Sequence, residues 1–273
     1  MYIVLKNKGA LTLQKFSICP LASGSKGNSY LITNGKTNIL LDLGISFKAL
    51  KEGLCFYGKS TDDINAIVVT HEHTDHIKGI GTAARRHKIP VYATLETWRG
   101  MYQSLCPIPD DIVKVVEKNN PFYIDDIKIT AFSISHDARD PVGYSFFFGG
   151  KKISAATDTG VANEEIFQNL KGSGIALIEA NHDRNMLMMG KYPLSLKNRI
   201  KGTLGHLSND DAGALAVLLA KSGTKKMLLG HLSEENNYPD LAKLTVETAL
   251  KEKGCLADLW VVCPHCHGEI FSL

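Results

Sequence analysis

Within six consecutive positions, His71-Glu72-His73-Thr74-Asp75-His76 sets three imidazoles and two carboxylates side by side. Neutral imidazole and ionised carboxylate are the usual ligands of zinc and, with more oxygen donors, of manganese. Leaving an extended strand, His71 and His73 project to one side by the two-residue period, while Asp75 and His76 fall on the turn that opens a helix. One cation could take the first pair and a second cation the other, each completed by ligands from elsewhere. The alternative meaning is solvation, with Glu72 and Asp75 facing a helix N-terminus and the histidines exposed in a loop. Ligand-type residues recur after later apolar runs, at His136, Asp158 and His231, and this recurrence favours the metal. A carboxylate such as Asp158 can bridge two cations. Cations about 3.5–4 Å apart can generate hydroxide near neutral pH and share the negative charge of an in-line displacement at phosphorus.

The elements that must position these residues are legible as apolar runs and their punctuation. Strands are predicted over residues 16–21, 29–33, 37–41, 66–69, 91–93, 127–134, 142–148, 152–155, 176–178, 227–229 and 259–262, with Asn34-Gly35 as a hairpin turn. Helical spacing is present over 77–87, 164–170, 210–221 and 241–252. Early hairpins followed by strand and helix alternation predict an α/β or mixed α+β fold, with sheets covered by helices. Asp42, His71, His136, Asp158 and His231 each follow a predicted strand. Functional groups gather where loops leave the carboxyl ends of strands, so these five endings could converge on one site.

Composition narrows the classes. With 273 residues, 44% hydrophobic and 22% charged, the chain is expected to fold as one globular domain over 1–273, without a staple. Disorder and collagen-like structure are excluded. A net charge of +3 excludes a uniformly basic nucleic-acid coat but permits a local patch. No apolar run approaches the length of a membrane span, and lysines at 6, 8 and 15 interrupt the start of the chain, so no export signal is read and a cytoplasmic location is expected. Six irregularly spaced cysteines then suggest free thiols.

The His-x-His-x-Asp-His pattern with its later His, Asp and His resembles the metallo-β-lactamase superfamily from about Phe16 onward. The resemblance implies a four-layer αββα sandwich with two divalent cations at one edge, zinc first and manganese second. It makes His71, His73 and His136 ligands of one cation and Asp75, His76 and His231 ligands of the other, with Asp158 bridging. Further segments carry a closer likeness: Ala22-Ser23-Gly24-Ser25-Lys26-Gly27-Asn28-Ser29, Ser135-His136-Asp137, Asp140-Pro141-Val142-Gly143-Tyr144, Glu179-Ala180-Asn181-His182-Asp183, Gly205-His206-Leu207-Ser208-Asn209 and Gly230-His231-Leu232-Ser233. These resemble the YycJ branch, also called WalJ or VicX, which is associated with DNA exonuclease activity and with a cell-wall two-component system. The implied function is a phosphodiesterase acting on DNA or RNA, DNA favoured. The alternatives are hydrolysis of a small phosphodiester and a metal-containing regulatory role. Residues 1–15 extend beyond the usual family start.

Asp75, Glu179 and His206 are the expected catalytic residues. Glu179 and His206 resemble the proton-shuttling glutamate and histidine of ribonuclease Z enzymes, although Ile178 and Leu207 depart from the flanking pattern. His206 could alternatively hold a phosphate at a helix N-terminus, where Ser208 is placed to cap. Asp42 reads either as an orienter behind the ligands or as an ordinary turn aspartate. Ser25 and Asn28 lie in a Gly-rich loop that could cradle a phosphate or merely join two strands. The stretch from His182 to His206 holds five basic residues against one acid. It reads as a nucleic-acid track or a solvated face, and His182, Lys197 and Arg199 are expected substrate contacts. Met186, Met188 and Met189 are expected to pack, and Cys263-Pro264-His265-Cys266 to be a reduced thiol pair.

Overall fold

The computed structural model describes residues 15–105, 107–262 and 269–273. Two seven-stranded sheets lie at its centre. The first contains β1 (Ser17–Ala22), β2 (Ser29–Thr33), β3 (Asn38–Leu41), β4 (Ala66–Val68), β5 (Val91–Ala93), β6 (Val113–Val115) and the final strand β14 (Phe271–Ser272). The second contains β7 (Phe122–Ile124), β8 (Ile127–Ser133), β9 (Val142–Phe148), β10 (Lys151–Ala156), β11 (Ile175–Glu179), β12 (Lys226–Gly230) and β13 (Asp258–Val261). Their orders are β14-β1-β2-β3-β4-β5-β6 and β13-β12-β11-β10-β9-β8-β7.

Each sheet is half antiparallel and half parallel. Short turns join β1 to β2 and β2 to β3. From β3 to β6 the pairing is parallel, which requires crossovers, and α1 (Phe47–Phe56), α2 (Thr74–Ile77) with α3 (Ile80–His87), and α4 (Leu95–Leu105) supply them. In the second sheet the parallel half runs from β10 to β13 through α5 (Glu164–Leu170), then α6 (Arg184–Met189), α7 (Leu194–Ile200) and α8 (Asn209–Lys221), then α9 (Pro239–Glu252).

The two-residue period decides which face each side chain serves. Tyr30, Ile32, Ile39, Leu41 and Val68 point into the layer between the sheets, meeting Tyr144, Phe146, Ile153 and Leu177. Their neighbours Leu31, Leu40 and Ile67 face outward onto Leu50, Leu54, Ile80 and Met101 of the first helical layer. On the far side Ala176, Ile178 and Leu229 pack under Ile166, Leu215, Leu219 and Val246. Strands buried on both faces read as continuous apolar runs, and the result is the four-layer α-β-β-α stack that the family resemblance implies.

Several elements differ from expectation. The predicted helix over 77–87 is two helices, because the chain turns at Gly79, whose amide donates to Leu43 O at 2.8 Å and where a Cβ would meet Ile45 O at 2.5 Å. The elements α1, α4, α6, α7, β6, β7 and β14 carry no expectation from sequence; several are too short for a periodic signal. The Cys263-Pro264-His265-Cys266 segment and most of residues 1–15 lie outside the described residues. Among the described helices none is long and apolar enough to cross a membrane.

Candidate metal centre

The five expected strand endings do converge. Asp42 follows β3, His71 follows β4, His136 follows β8, Asp158 follows β10 and His231 follows β12, so both sheets deliver side chains to the same edge. Three of them, Asp42, Asp158 and His231, have left-handed backbone at φ 59°, 57° and 56°. This conformation disfavours non-glycine residues by about 1–3 kcal/mol each and is held only where surrounding bonds fix it. Asp42 N donates to Val68 O, and His231 N donates to Ser23 Oγ at 2.8 Å.

Potential donor atoms lie within 4.8 Å of one another in overlapping sets: His71, His73 and His136; Asp75, His76 and His231; His71, His76 and Asp158. Asp158 sits between them. Its Oδ2 is 3.3 Å from His76 Nε2, while its Oδ1 is 3.3 Å from His231 Nε2 and 3.9 Å from His136 Nε2. Asp75 Oδ2 is 3.5 Å from His76 Nε2 and 3.7 Å from His231 Nε2.

The other nitrogen of four imidazoles is held by a protein acceptor. His76 Nδ1 donates to Asp42 Oδ2 at 2.8 Å, and His231 Nδ1 to Glu179 Oε1 at 2.7 Å. His136 Nδ1 donates to Gly205 O at 3.1 Å. His71 Nδ1 meets Thr70 Oγ1 at 3.0 Å, and that hydroxyl donates onward to Asp42 Oδ2 at 2.9 Å. Fixing the proton on Nδ1 aims Nε2 inward, the arrangement that metal-binding histidines use. Asp42 is thus an orienter as well as a turn residue.

Buried polar atoms are ordinarily paired, yet His71 Nε2, His231 Nε2 and Asp158 Oδ2 are buried without a hydrogen-bond partner. All belong to the same cluster. Two imidazole nitrogens and a carboxylate oxygen left over in one place fit a divalent cation. Burial dominates at His71 and His136 and holds both imidazoles below their usual range. Burial also opposes charge on His76 and His231, but Asp158 and its neighbours outweigh it, raising His76 well above its usual value and His231 to about 10. Asp158 and Asp75 are driven the other way, below the usual carboxylate range against the effect of burial. The carboxylates therefore draw positive charge into the cluster, as protons or as a cation.

Glu179 is fully buried at the end of β11, and its Oε1 also accepts from His206 Nδ1 at 2.8 Å. Burial raises its carboxyl pKa, but His206 and His231 prevail and bring it to about 2. His206 lies at the rim with its side chain 19% exposed, 3.8 Å from Asp158 Oδ1. The expected Glu179–His206 pair is therefore formed, and it shares its carboxylate with the metal cluster. Ser208 does cap α8, accepting from Asp211 N at 3.2 Å.

The expected substrate contacts fare differently. Ser25 is exposed at the loop tip. Asn28 is buried instead: its Oδ1 accepts from Gly24 N at 2.9 Å and its Nδ2 faces Gly24 O, Asp75 Oδ2 and His76 Nε2, so it braces Asp75 and His76 from behind the loop. His182 is likewise buried, with burial pulling its pKa down to about 4, and a neutral enclosed imidazole is no cationic phosphate contact. Lys197 Nζ donates to Met188 O at 2.7 Å, and Arg199 pairs with Asp137 at 2.5 Å. Arg184 pairs with Asp211 at 2.8 Å. Three of the five cations in the expected basic track are thus tied down by the fold. Met188 and Met189 do not pack but stand exposed.

Sequence reasoning missed Gly44, where a Cβ would fall 1.5 Å from Asp75 O, so only glycine lets the β3 exit lie against the Asp75–His76 turn. It also missed Asn181, whose Nδ2 donates to His231 O at 2.9 Å, and Asp137, whose Oδ1 is 3.4 Å from His136 Nε2. Asn181 and Asp137 lie beside recognised ligand-type residues, which is the signal that could have found them.

Comparison with known proteins accords with this geometry. Residues 37–232 match the Beta-lactamase superfamily domain. The chain is 38% identical over 234 residues to Exodeoxyribonuclease YycJ of Bacillus anthracis, covering 86% of this chain and 89% of that one. It is 39% identical over 249 residues to Exodeoxyribonuclease WalJ of Streptococcus pneumoniae, covering 90% of each. Among solved structures, the metallo-β-lactamase fold protein YhfI from Bacillus subtilis superposes with a TM-score of 0.71 at 16% identity, covering 94% of this chain and 99% of that one, a likeness of fold.

Proposed function

The chain belongs to the β-lactamase superfamily and is a metal-dependent hydrolase, and on that footing we propose that its site holds two divalent cations and removes nucleotides from the end of a nucleic-acid strand, DNA favoured. The observation that carries the reading is Asp158, whose Oδ1 lies 3.9 Å from His136 Nε2 and whose Oδ2 lies 3.3 Å from His76 Nε2, one histidine from each of two ligand sets. A carboxylate so placed can serve two cations, with His71, His73 and His136 on one side and Asp75, His76 and His231 on the other. Imidazole and carboxylate donors suit zinc first and manganese second. The names of the two curated relatives support DNA as substrate.

When bound, the cations supply Lewis acidity, which makes water a better nucleophile near neutral pH and spreads the charge gathering on the phosphoryl oxygens. The chain's own groups do the rest. Asp42, Thr70, Gly205 and Glu179 fix the imidazole protons so that the inward nitrogens stay available. Asp75 shares the ligand set with the reacting centre. His206, anchored through Nδ1 by Glu179, keeps Nε2 for a proton at the rim and donates it to the departing oxygen.

Metal analysis and a substrate panel test this together. Purified protein should carry about two metal equivalents, and Asp158→Ala should lose both, because one carboxylate serves each. His206→Ala should keep the metals and lose about 100- to 10,000-fold on oligonucleotides, and less on an aryl phosphodiester with a good leaving group. Unchanged metal occupancy in Asp158→Ala defeats the two-cation assignment, and cleavage of small phosphodiesters without action on any labelled DNA or RNA strand defeats the nuclease reading.

A further inference from the structure

Glu72 stands between His71 and His73, yet it belongs to neither cation set. Its Oε2 is buried without a hydrogen-bond partner, an arrangement that costs the fold stability. Its Oε1 accepts from the backbone N–H of Arg139 at 2.9 Å, 67 positions away along the chain. A Cβ at Gly100 would meet Glu72 Cγ at 2.6 Å, so α4 lies directly on the Glu72 stem and holds it in place. One oxygen of this carboxylate is therefore left unpaired while the other fixes the position of Arg139.

Arg139 belongs to the loop from β8 to β9, which also carries His136, and that loop is pinned along its length. Asp137 N donates to Leu204 O at 3.1 Å, and Val142 N donates to Thr70 O at 3.0 Å. Thr94 Oγ1 and Thr97 Oγ1 donate to Asp140 O at 3.3 and 3.4 Å. The acids of the loop are committed as well, Asp137 to Arg199 and Asp140 to Lys118 at 2.6 Å. The Arg139 side chain is different. It is exposed, and among the described residues no ion pair or hydrogen bond engages its guanidinium. By contrast, Lys26 holds Glu234 at 2.5 Å, Arg184 holds Asp211 and Lys197 holds Met188 O. A backbone locked on both sides with a charged head left free is how a fold presents a group to a ligand.

We propose that Arg139 binds a backbone phosphate of the nucleic-acid substrate on the His71, His73 and His136 side of the cluster, and that Glu72 is the positioning residue that fixes it there. The inference rests on the proposed nuclease function and adds a residue that holds the strand. A guanidinium presents parallel N–H donors that match phosphate oxygens, and its place three residues beyond His136 sets the contact beside the phosphodiester being cut. Such a contact reads neither base sequence nor base pairing, so it serves paired and unpaired strands alike. Because only one Glu72 oxygen is engaged, glutamine can stand in for it and alanine cannot.

Fluorescence anisotropy of a labelled DNA duplex with the metal-free protein, across a salt series, tests the contact without calling on catalysis. Arg139→Gln should weaken binding about tenfold and lower the slope of log affinity against log salt by about 0.9, the value for one phosphate of duplex DNA. Arg139→Lys should restore the slope but only part of the affinity, since an ammonium lacks the paired donors. Lys128→Gln removes a charge at the start of β8, the end away from His136, and should change neither. Glu72→Ala should weaken binding and raise KM for DNA, and Glu72→Gln should restore both. In the metal-loaded enzyme, the ratio of kcat/KM on DNA to that on a small aryl phosphodiester should fall about tenfold in Arg139→Gln, through KM. An Arg139→Gln protein with the wild-type salt slope overturns the proposal, as does an equal drop in slope for Lys128→Gln, which would make the effect one of net charge. Glu72→Ala binding DNA like wild type overturns the positioning role. A wild-type protein that neither binds nor cleaves DNA or RNA defeats the nuclease function and the contact with it, whereas cleavage by the wild type with an unaltered Arg139→Gln defeats the contact alone.

Discussion

Replacing Glu179 by Gln changes one atom and should disturb both the fold and the metal cluster. The buried carboxylate accepts four hydrogen bonds, Oε1 from His206 and His231 at 2.8 and 2.7 Å, and Oε2 from the amides of Thr159 and Leu207 at 3.0 and 3.1 Å. Glutamine has one acceptor oxygen, so its NH₂ must face either two backbone N–H groups or two imidazole Nδ1–H groups. In either orientation two bonds are lost. At about 1.5–3 kcal/mol for a hydrogen bond to a charged group, the loss is about 3–6 kcal/mol. At about 2–4 °C per kcal/mol for chains of comparable length, the melting temperature should fall by roughly 6–24 °C. If the NH₂ faces the imidazoles, each can escape only by moving its proton to Nε2, which removes the inward lone pair of His231. Metal affinity should then fall about 10- to 100-fold. Because the native carboxyl titrates at about 2 against 4.5 in the unfolded chain, its stabilisation is complete above pH 4.5 and disappears as pH falls through about 2, so the two melting curves should converge in acid. Circular dichroism melts across pH and competition with a chelator measure both effects. A Glu179→Gln protein melting within about 2 °C of wild type at pH 7, with unchanged metal affinity, would refute the orienting role.

Three other expectations follow from the same geometry. Gly44→Ala should be severely destabilised and bind metal poorly, because its Cβ would lie 1.5 Å from Asp75 O; thermal melting and metal titration measure this, and a wild-type melt would show that the β3 exit can move aside. Asp42→Asn, which weakens the 2.8 Å hold on His76, should lower metal affinity about 10- to 100-fold with the chain still folded, as circular dichroism and chelator competition can check. In the metal-free protein the proton on His231 stabilises fully below pH 6.5 and is lost as pH rises through about 10, so metal affinity should climb across that window. Calorimetry in buffers of different ionisation enthalpy should detect proton release at pH 8, and its absence would contradict the exchange.

The sequence alone determined the features that depend on neighbours close along the chain. His71 to His76 is dense enough to announce metal chemistry without a fold, and apolar runs ending in Asp42, His136, Asp158 and His231 mark strand exits because alternation and turn residues act locally. The pairing of Glu179 with His206 was legible through family resemblance. Tertiary structure decided which exits meet, and it decided the roles of residues whose partners are far away in sequence. Asn28 reads as a loop contact until Asp75 and His76 are seen to lie over it. Arg199 reads as a free cation until Asp137, 62 positions away, neutralises it. Gly44 reads as a turn until the Asp75 carbonyl approaches where a Cβ would be. Met188 and Met189 look like core by type and are surface by placement. Residue chemistry and local period belong to the sequence, whereas exposure, ion pairing and the Nδ1 acceptors of the ligand histidines exist only once distant segments pack, since each is a property of a pair and not of a residue.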